Sequence, residues 1–179
     1  DLSGWTTSRA GTVPELDTDE HHSAPASLRM SSDQPRIGVT TPDHEFEVPL
    51  PTALSVSGWL RATEVSATAR IGLDLKIVLD DGSTTWFFPD SLTLSRGETG
   101  RWVEKLAGYL APPGRSIAAI AVFCLAYEAP GATAWYDDVQ VAPQVVATPT
   151  HDVAVLYARS ADEPEGGLLS LYVAVAEPH

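Results

Sequence analysis

Apolar and polar residues alternate along most of this chain. Leu54, Val56, Gly58 and Leu60 fall on one side of a two-residue period, and Ser55, Ser57, Trp59 and Arg61 fall on the other. That period puts successive side chains on opposite faces of a β-strand. Ile71, Leu73, Leu75, Ile77 and Leu79 form a second inward series, with Gly72, Asp74, Lys76 and Val78 outward. Asp81-Gly82 then closes a hairpin, because glycine tolerates the positive φ of a tight turn, and Thr84 to Phe88 returns as the partner strand. Further strands are expected at Ser27–Met30, Arg36–Thr40, Phe46–Val48, Trp102–Leu110, Ile117–Tyr127 and Ala134–Val141. The run Ile117 to Tyr127 is apolar on both faces, as suits a central strand. No amphipathic helical period is found, and 13 glycines and 14 prolines punctuate the apolar runs. Many short strands between Gly/Pro turns predict an all-β antiparallel sandwich or barrel.

The last of these strands carries a chemical problem. In Ala134-Trp-Tyr-Asp-Asp-Val-Gln-Val141, a strict period of two groups Trp135, Asp137, Val139 and Val141 on the expected core face. Asp137 should then point inward, where a carboxylate is costly unless it is hydrogen-bonded, paired or bound to a metal. Asp138 should face out. A composition break follows, so residues 1–142 are expected to form the main domain. Residues 143–179 are expected to be a linker and a C-terminal hairpin, Val153–Ala158 with Leu168–Val175. A lone hairpin is marginal in water, so this tail should pack on the main domain, pair with another chain or be the start of a further domain.

With 179 residues, 44% of them hydrophobic, the chain is long enough for one domain with a real core. Its net charge of −13 and singly scattered basic residues argue against nucleic acid and anionic membranes. No apolar run is long enough to insert in a bilayer, and the first residues carry no secretion signal. Cys124 is alone in the sequence, so no internal disulfide forms, and its apolar surroundings predict a buried thiol. Catalytic motifs are missing: there is no nucleophile elbow, zinc-protease helix, phosphate loop or dinucleotide fingerprint. The neighbouring acids Asp80-Asp81 and Asp137-Asp138 diverge in a turn and a strand, which does not suit glycoside hydrolysis. The chain is expected not to be an enzyme. The adjacent His21-His22 point apart, so no transition-metal site is expected there.

Five segments, in order, resemble a known family: Gly4-Trp5, His21–Met30, Leu54–Ala62, Gly100–Pro112 and Ala134–Val141. Together they are similar to the galactose-binding-like β-jelly-roll of carbohydrate-binding modules of families four, nine, sixteen and twenty-two. The likeness covers roughly Asp1 to Ala142. It implies a two-sheet antiparallel jelly-roll sandwich with a structural calcium near the chain ends. By position, Asp137 would be one calcium ligand, and Asp17, Asp19 and Glu20 occupy the loop that would supply others. Hard carboxylate and carbonyl oxygens are what calcium requires. The family's usual opening strand is not found before Gly4-Trp5, and Leu168–Val175 is a candidate replacement.

The resemblance also implies sugar recognition by aromatic rings with polar neighbours. The outward candidates are Trp59 and Arg61, Asp74 on the next strand, Trp86 and Phe88 opposite Phe87, and Tyr127. The expected function is non-catalytic binding of a polysaccharide or cell-surface glycan, as an accessory module of a larger extracellular protein. A structural or adhesion module is the alternative, as in a phage tail, tail fibre or surface filament. It would sit at a cell surface or virion and form a homo-oligomer or larger assembly by strand exchange through the C-terminal strands.

Overall fold

The structure is a computed structural model that describes residues 2, 4–8, 12–31, 33–63, 65–66, 68–144, 153–156 and 172–175. The chain forms two compact units, Asp1–Val146 and Ala147–His179. The first holds β1 (Thr6–Thr7), β2 (Val13–Asp17), β3 (Ser27–Ser31), β4 (Arg36–Thr40), β5 (His44–Glu45) and β6 (Ala53–Thr63). It continues with β7 (Arg70–Leu79), β8 (Thr84–Phe87), β9 (Val103–Leu110), β10 (Ile117–Tyr127) and β11 (Thr133–Gln144). One sheet is ordered β1-β4-β10-β7-β8, with β5 also on β10; the other is ordered β2-β3-β11-β6-β9. The neighbours are antiparallel, as in β10 with β7 and β11 with β6. The described residues contain no α-helix, only 3-10 turns at Asp90–Leu92 and Arg96–Glu98. This is the expected two-sheet jelly-roll sandwich.

The inward series of β6 and β7 form the core as the alternation predicts. Leu54, Val56, Leu60, Leu73, Leu75 and Ile77 are buried, and so is Cys124, whose thiol burial pushes far up. One inward position is charged: Lys105 donates to the Glu98 carboxylate at 2.6 Å, which answers its charge. Three strands differ from expectation, the two-residue β1 being one that the alternation does not mark. β2 was hidden by Pro14, which an edge strand tolerates because its outer N–H positions need no partner. Pairing near Phe46 falls at His44–Glu45 instead, and Val48, before Pro49, is 88% exposed.

The face assignment in β11 is corrected. Ala134 and Tyr136 point into the core, Tyr136 only 2% exposed with its hydroxyl donating to the Leu125 carbonyl at 2.8 Å. Trp135 and Asp137 face outward. A β-bulge causes this: the register with β6 shifts between Asp137 and Gln140, and Asp138 adopts φ +48. The extra residue reverses the alternation, so Val139 and Val141 still pack against the core. β11 then stays paired with β6 to Gln144, so the segment after Val141 begins as strand and not as linker.

In the second unit, β12 (Val153–Leu156) pairs antiparallel with β13 (Tyr172–Val175) in a two-stranded sheet of their own. These strands lie within the two segments expected to pair, Val153–Ala158 and Leu168–Val175. Asp162 to Gly167 lies outside the described residues.

Candidate functional site

The outward face of the β1-β4-β10-β7-β8 sheet gathers aromatic and charged residues by register. Tyr127 on β10 stands opposite Arg36 on β4 and Arg70 on β7. Phe123 stands opposite Asp74, and Lys76 opposite both Ala121 and Trp86. Directly opposed residues on adjacent strands share a face, so these side chains form one surface. A cleft of about 430 Å³ opens there, lined by Arg36, Thr68, Arg70, Asp74, Phe88, Tyr127 and Glu128.

Two glycines shape it. At Gly38 a Cβ would stand 2.3 Å from a Leu125 methyl, so the glycine leaves that side chain room to lie across the sheet. At Gly72 a Cβ would stand 2.8 Å from the Leu92 carbonyl, and the absence of one lets Thr93 bridge to the strand. That crossing segment holds Phe88 near the cleft, where Arg70 Nη2 donates to the Phe88 carbonyl at 2.6 Å.

The cleft's charges are partly committed. Arg70 lies 3.9 Å from the Asp74 carboxylate, and burial holds the Asp74 carboxyl above the ordinary carboxylate range while Arg70 pulls it back. The Arg36 guanidinium stands 5.6 Å from the Tyr127 ring centroid, and Arg70 stands at the same distance from that of Phe88. At the other end of the face, Lys76 pairs with Asp43 at 2.9 Å. Trp86 packs on Phe123 with centroids 5.1 Å apart. Trp86 remains 50% exposed and Phe88 54%, whereas Phe87 turns in against Tyr109. The surface thus offers two half-open rings, Trp86 on β8 and Phe88 just past its end, with guanidinium and carboxylate groups beside Phe88. Such a surface can stack on an apolar ring face while hydrogen-bonding hydroxyls.

Of the expected sugar-binding residues, the structure brings Asp74, Trp86, Phe88 and Tyr127 together on this face. It does not bring Trp59 and Arg61 there, which lie on the outward face of the other sheet. Trp59 is covered by the His22 ring, stacked at 3.7 Å and 10°, and Arg61 is paired with Glu20 and sits over Trp135. Arg36, Arg70, Thr68, Phe123 and Glu128 were missed. The outward alternation of β4 and β10 marks Arg36, Phe123 and Tyr127, but only the strand order makes them neighbours.

The acids expected to hold calcium are likewise placed. Asp137 accepts the backbone N–H groups of His22 and Ser23, each at 2.9 Å, and that of Asp138 at 2.8 Å. Asp17 accepts from Trp135 Nε1 at 2.9 Å and from the N–H groups of Asp19 and Glu20. Glu20 pairs with Arg61, and Asp19 is exposed. Among the described residues no three His, Cys, Asp or Glu side chains converge as a metal-holding group. The donor set does not fit the calcium ion that the resemblance implies.

No known family description and no curated protein matches the chain. Solved structures do match. A xylan-binding domain from Paenibacillus barcinonensis aligns over 80% of this chain and 88% of its own, with 17% identity and a TM-score of 0.56. The C-terminal family 22 carbohydrate-binding module of a Clostridium thermocellum protein covers the same shares at 14% identity and a TM-score of 0.57. The enzymatically active domain of a bacteriophage CBA120 tailspike protein matches 80% of this chain but 20% of its own, at 14% identity and a TM-score of 0.56. At such identities the likeness is one of fold: this chain shares the β-jelly-roll of carbohydrate-binding modules.

Proposed function

We propose that the chain is a non-catalytic carbohydrate-binding module that holds a polysaccharide or cell-surface glycan in the cleft on the β4-β10-β7-β8 face. The observation that carries this reading is the half-exposure of Phe88 in one cleft with Arg36, Arg70 and Asp74, and of Trp86 farther along the same sheet face. Rings held this way are ordered before a ligand arrives, so little conformational entropy is lost on stacking. The jelly-roll shared with xylan-binding and family 22 modules supports the same reading. An accessory role in a larger extracellular protein follows, since weak sites of this kind gain effective affinity through tethering.

No hydrolytic step is assigned. Asp80 and Asp81 are held by Arg115 at 3.6 and 2.7 Å, and Asp137 and Asp138 by loop donors. A second reading, an adhesion module in a larger virion assembly, draws on the tailspike likeness.

Calorimetry and affinity electrophoresis against soluble xylans, galactans and glucans test the proposal. At least one polysaccharide should bind without release of reducing ends. Trp86→Ala and Phe88→Ala should each weaken binding about tenfold, ~1.4 kcal/mol, with little change in melting temperature. Trp59→Ala should leave binding intact. Retention of no glycan by the folded protein would overturn the reading.

A further inference from the structure

The acids around the β11 bulge do a job of their own. The loop of residues 18–26 runs past the bulge, and its backbone donates into it: the His22 and Ser23 N–H groups both reach one Asp137 oxygen, while the other accepts the N–H of Asp138 within β11 itself. The Ser23 hydroxyl donates to Asp138 at 2.6 Å, and His22 Nδ1 meets the other Asp138 oxygen at 2.9 Å. The same His22 ring lies flat on Trp59, which pairs with Asp137 across β6 and β11. At the loop's start Asp17 gathers Trp135 Nε1 and two backbone N–H groups. Arg61 joins Glu20 to the Trp135 ring.

We infer that this chain fastens the 18–26 loop to the β11 bulge without a metal ion, through a clasp in which Asp17, Asp137 and Asp138 accept backbone, hydroxyl and ring donors. The inference stands apart from the proposed function, since it concerns how the fold is closed. Calcium takes six to eight oxygen ligands. Here the groups aimed at the carboxylates are N–H and O–H donors, whose polarised hydrogens occupy the positions a cation would need. Seating calcium on the Asp137 oxygen that holds both loop donors would require the peptides before His22 and Ser23 to turn their carbonyls where their N–H groups now point. The bulge supports the clasp directly, because the residue inserted there is Asp138, whose N–H donates to Asp137 while its own carboxylate reaches Ser23 and His22.

Thermal melting in excess calcium and in chelator tests the clasp, together with terbium luminescence excited through tryptophan, since Trp59 and Trp135 neighbour these acids. The wild type should melt at the same temperature in both buffers and give no saturable terbium emission. Asp137→Ala should lower the melting temperature by several degrees, equally in both. Should that variant fail to fold, Ser23→Ala removes only the hydroxyl and should give a smaller, equally calcium-independent drop. A calcium-dependent rise in melting temperature, or a terbium signal displaced by calcium, overturns the inference if Asp137→Asn abolishes it. A rise that survives Asp137→Asn places the cation elsewhere and leaves this corner metal-free.

Discussion

Asp74 shows at the scale of one residue how binding and stability separate. Its neighbours along β7, Leu73 and Leu75, are fully buried, and Asp74 itself is largely covered between Phe123 and Arg70. Burial penalises its charged form more than Arg70, 3.9 Å away, favours it, so its carboxyl titrates above the ordinary value. A carboxyl raised on folding contributes stability that is fully present below its unfolded pKa of about 3.9 and is lost as pH rises through the higher folded value. At neutral pH the ionised group is therefore a cost to the fold. Asp74→Asn should leave the melting temperature at pH 7 unchanged or slightly higher, within ~1 kcal/mol, and should flatten its rise on acidification. The same change should weaken glycan binding several-fold, because an acceptor in the cleft becomes partly a donor. Melting curves from pH 4 to 7 beside calorimetry check both arms. A large loss of stability at pH 7 would mean that Asp74 is structural. The outward place of Asp74 is legible in the sequence, because it is a lone carboxylate in the outward series of an otherwise regular strand. Arg36 and Arg70 are not, since nothing local says that both stand opposite Tyr127.

At the scale of the element, β7 and β11 mark what periodicity can deliver. β7 keeps strict alternation for its whole length, so its inward residues are those the pattern selects. β11 breaks alternation once, and a fixed period reads Trp135 and Asp137 as inward when they face out. The Trp-Tyr-Asp-Asp-Val run satisfies either phase, since Trp and Tyr can both line a core, and the break shows only in the register with β6. The bulge makes a sharp prediction. Deleting Asp138 restores a continuous period with Tyr136, Val139 and Val141 all still inward, so it leaves the core face intact and removes only the bulge, with the contacts Asp138 makes to Ser23, His22 and Asp137. The deletion variant should keep a cooperative transition but melt several degrees below wild type. Asp138→Asn should melt within a few degrees of wild type, because asparagine tolerates positive φ and keeps an acceptor for Ser23. Circular dichroism melts of the two variants decide it, and a deletion variant that melts like wild type would show that the bulge is dispensable.

For the whole molecule, the jelly-roll follows from strand count and turn spacing, but a sandwich has two outward faces that alternation cannot tell apart. That is why Trp59 and Arg61 read as partners of Asp74 and Trp86 although they belong to the other sheet. The assignment needs the order of strands, which is set by pairings as distant as Arg36 with Tyr127. The division into two compact units after Val146 bears on the assembly reading in the same way. Both main sheets and every residue of the cleft belong to the first unit, whereas β12 and β13 pair with each other. A chain ending at Val146 should therefore fold, melt within a few degrees of the full chain and keep its glycan affinity. If the hairpin joins subunits, the shortened chain should be monomeric by light scattering where the full chain is not, with glycan binding per site unchanged. Loss of cooperative melting on truncation would instead make the C-terminal strands part of the sandwich's own stability, as a substitute first strand would be, and would rule out a role confined to assembly.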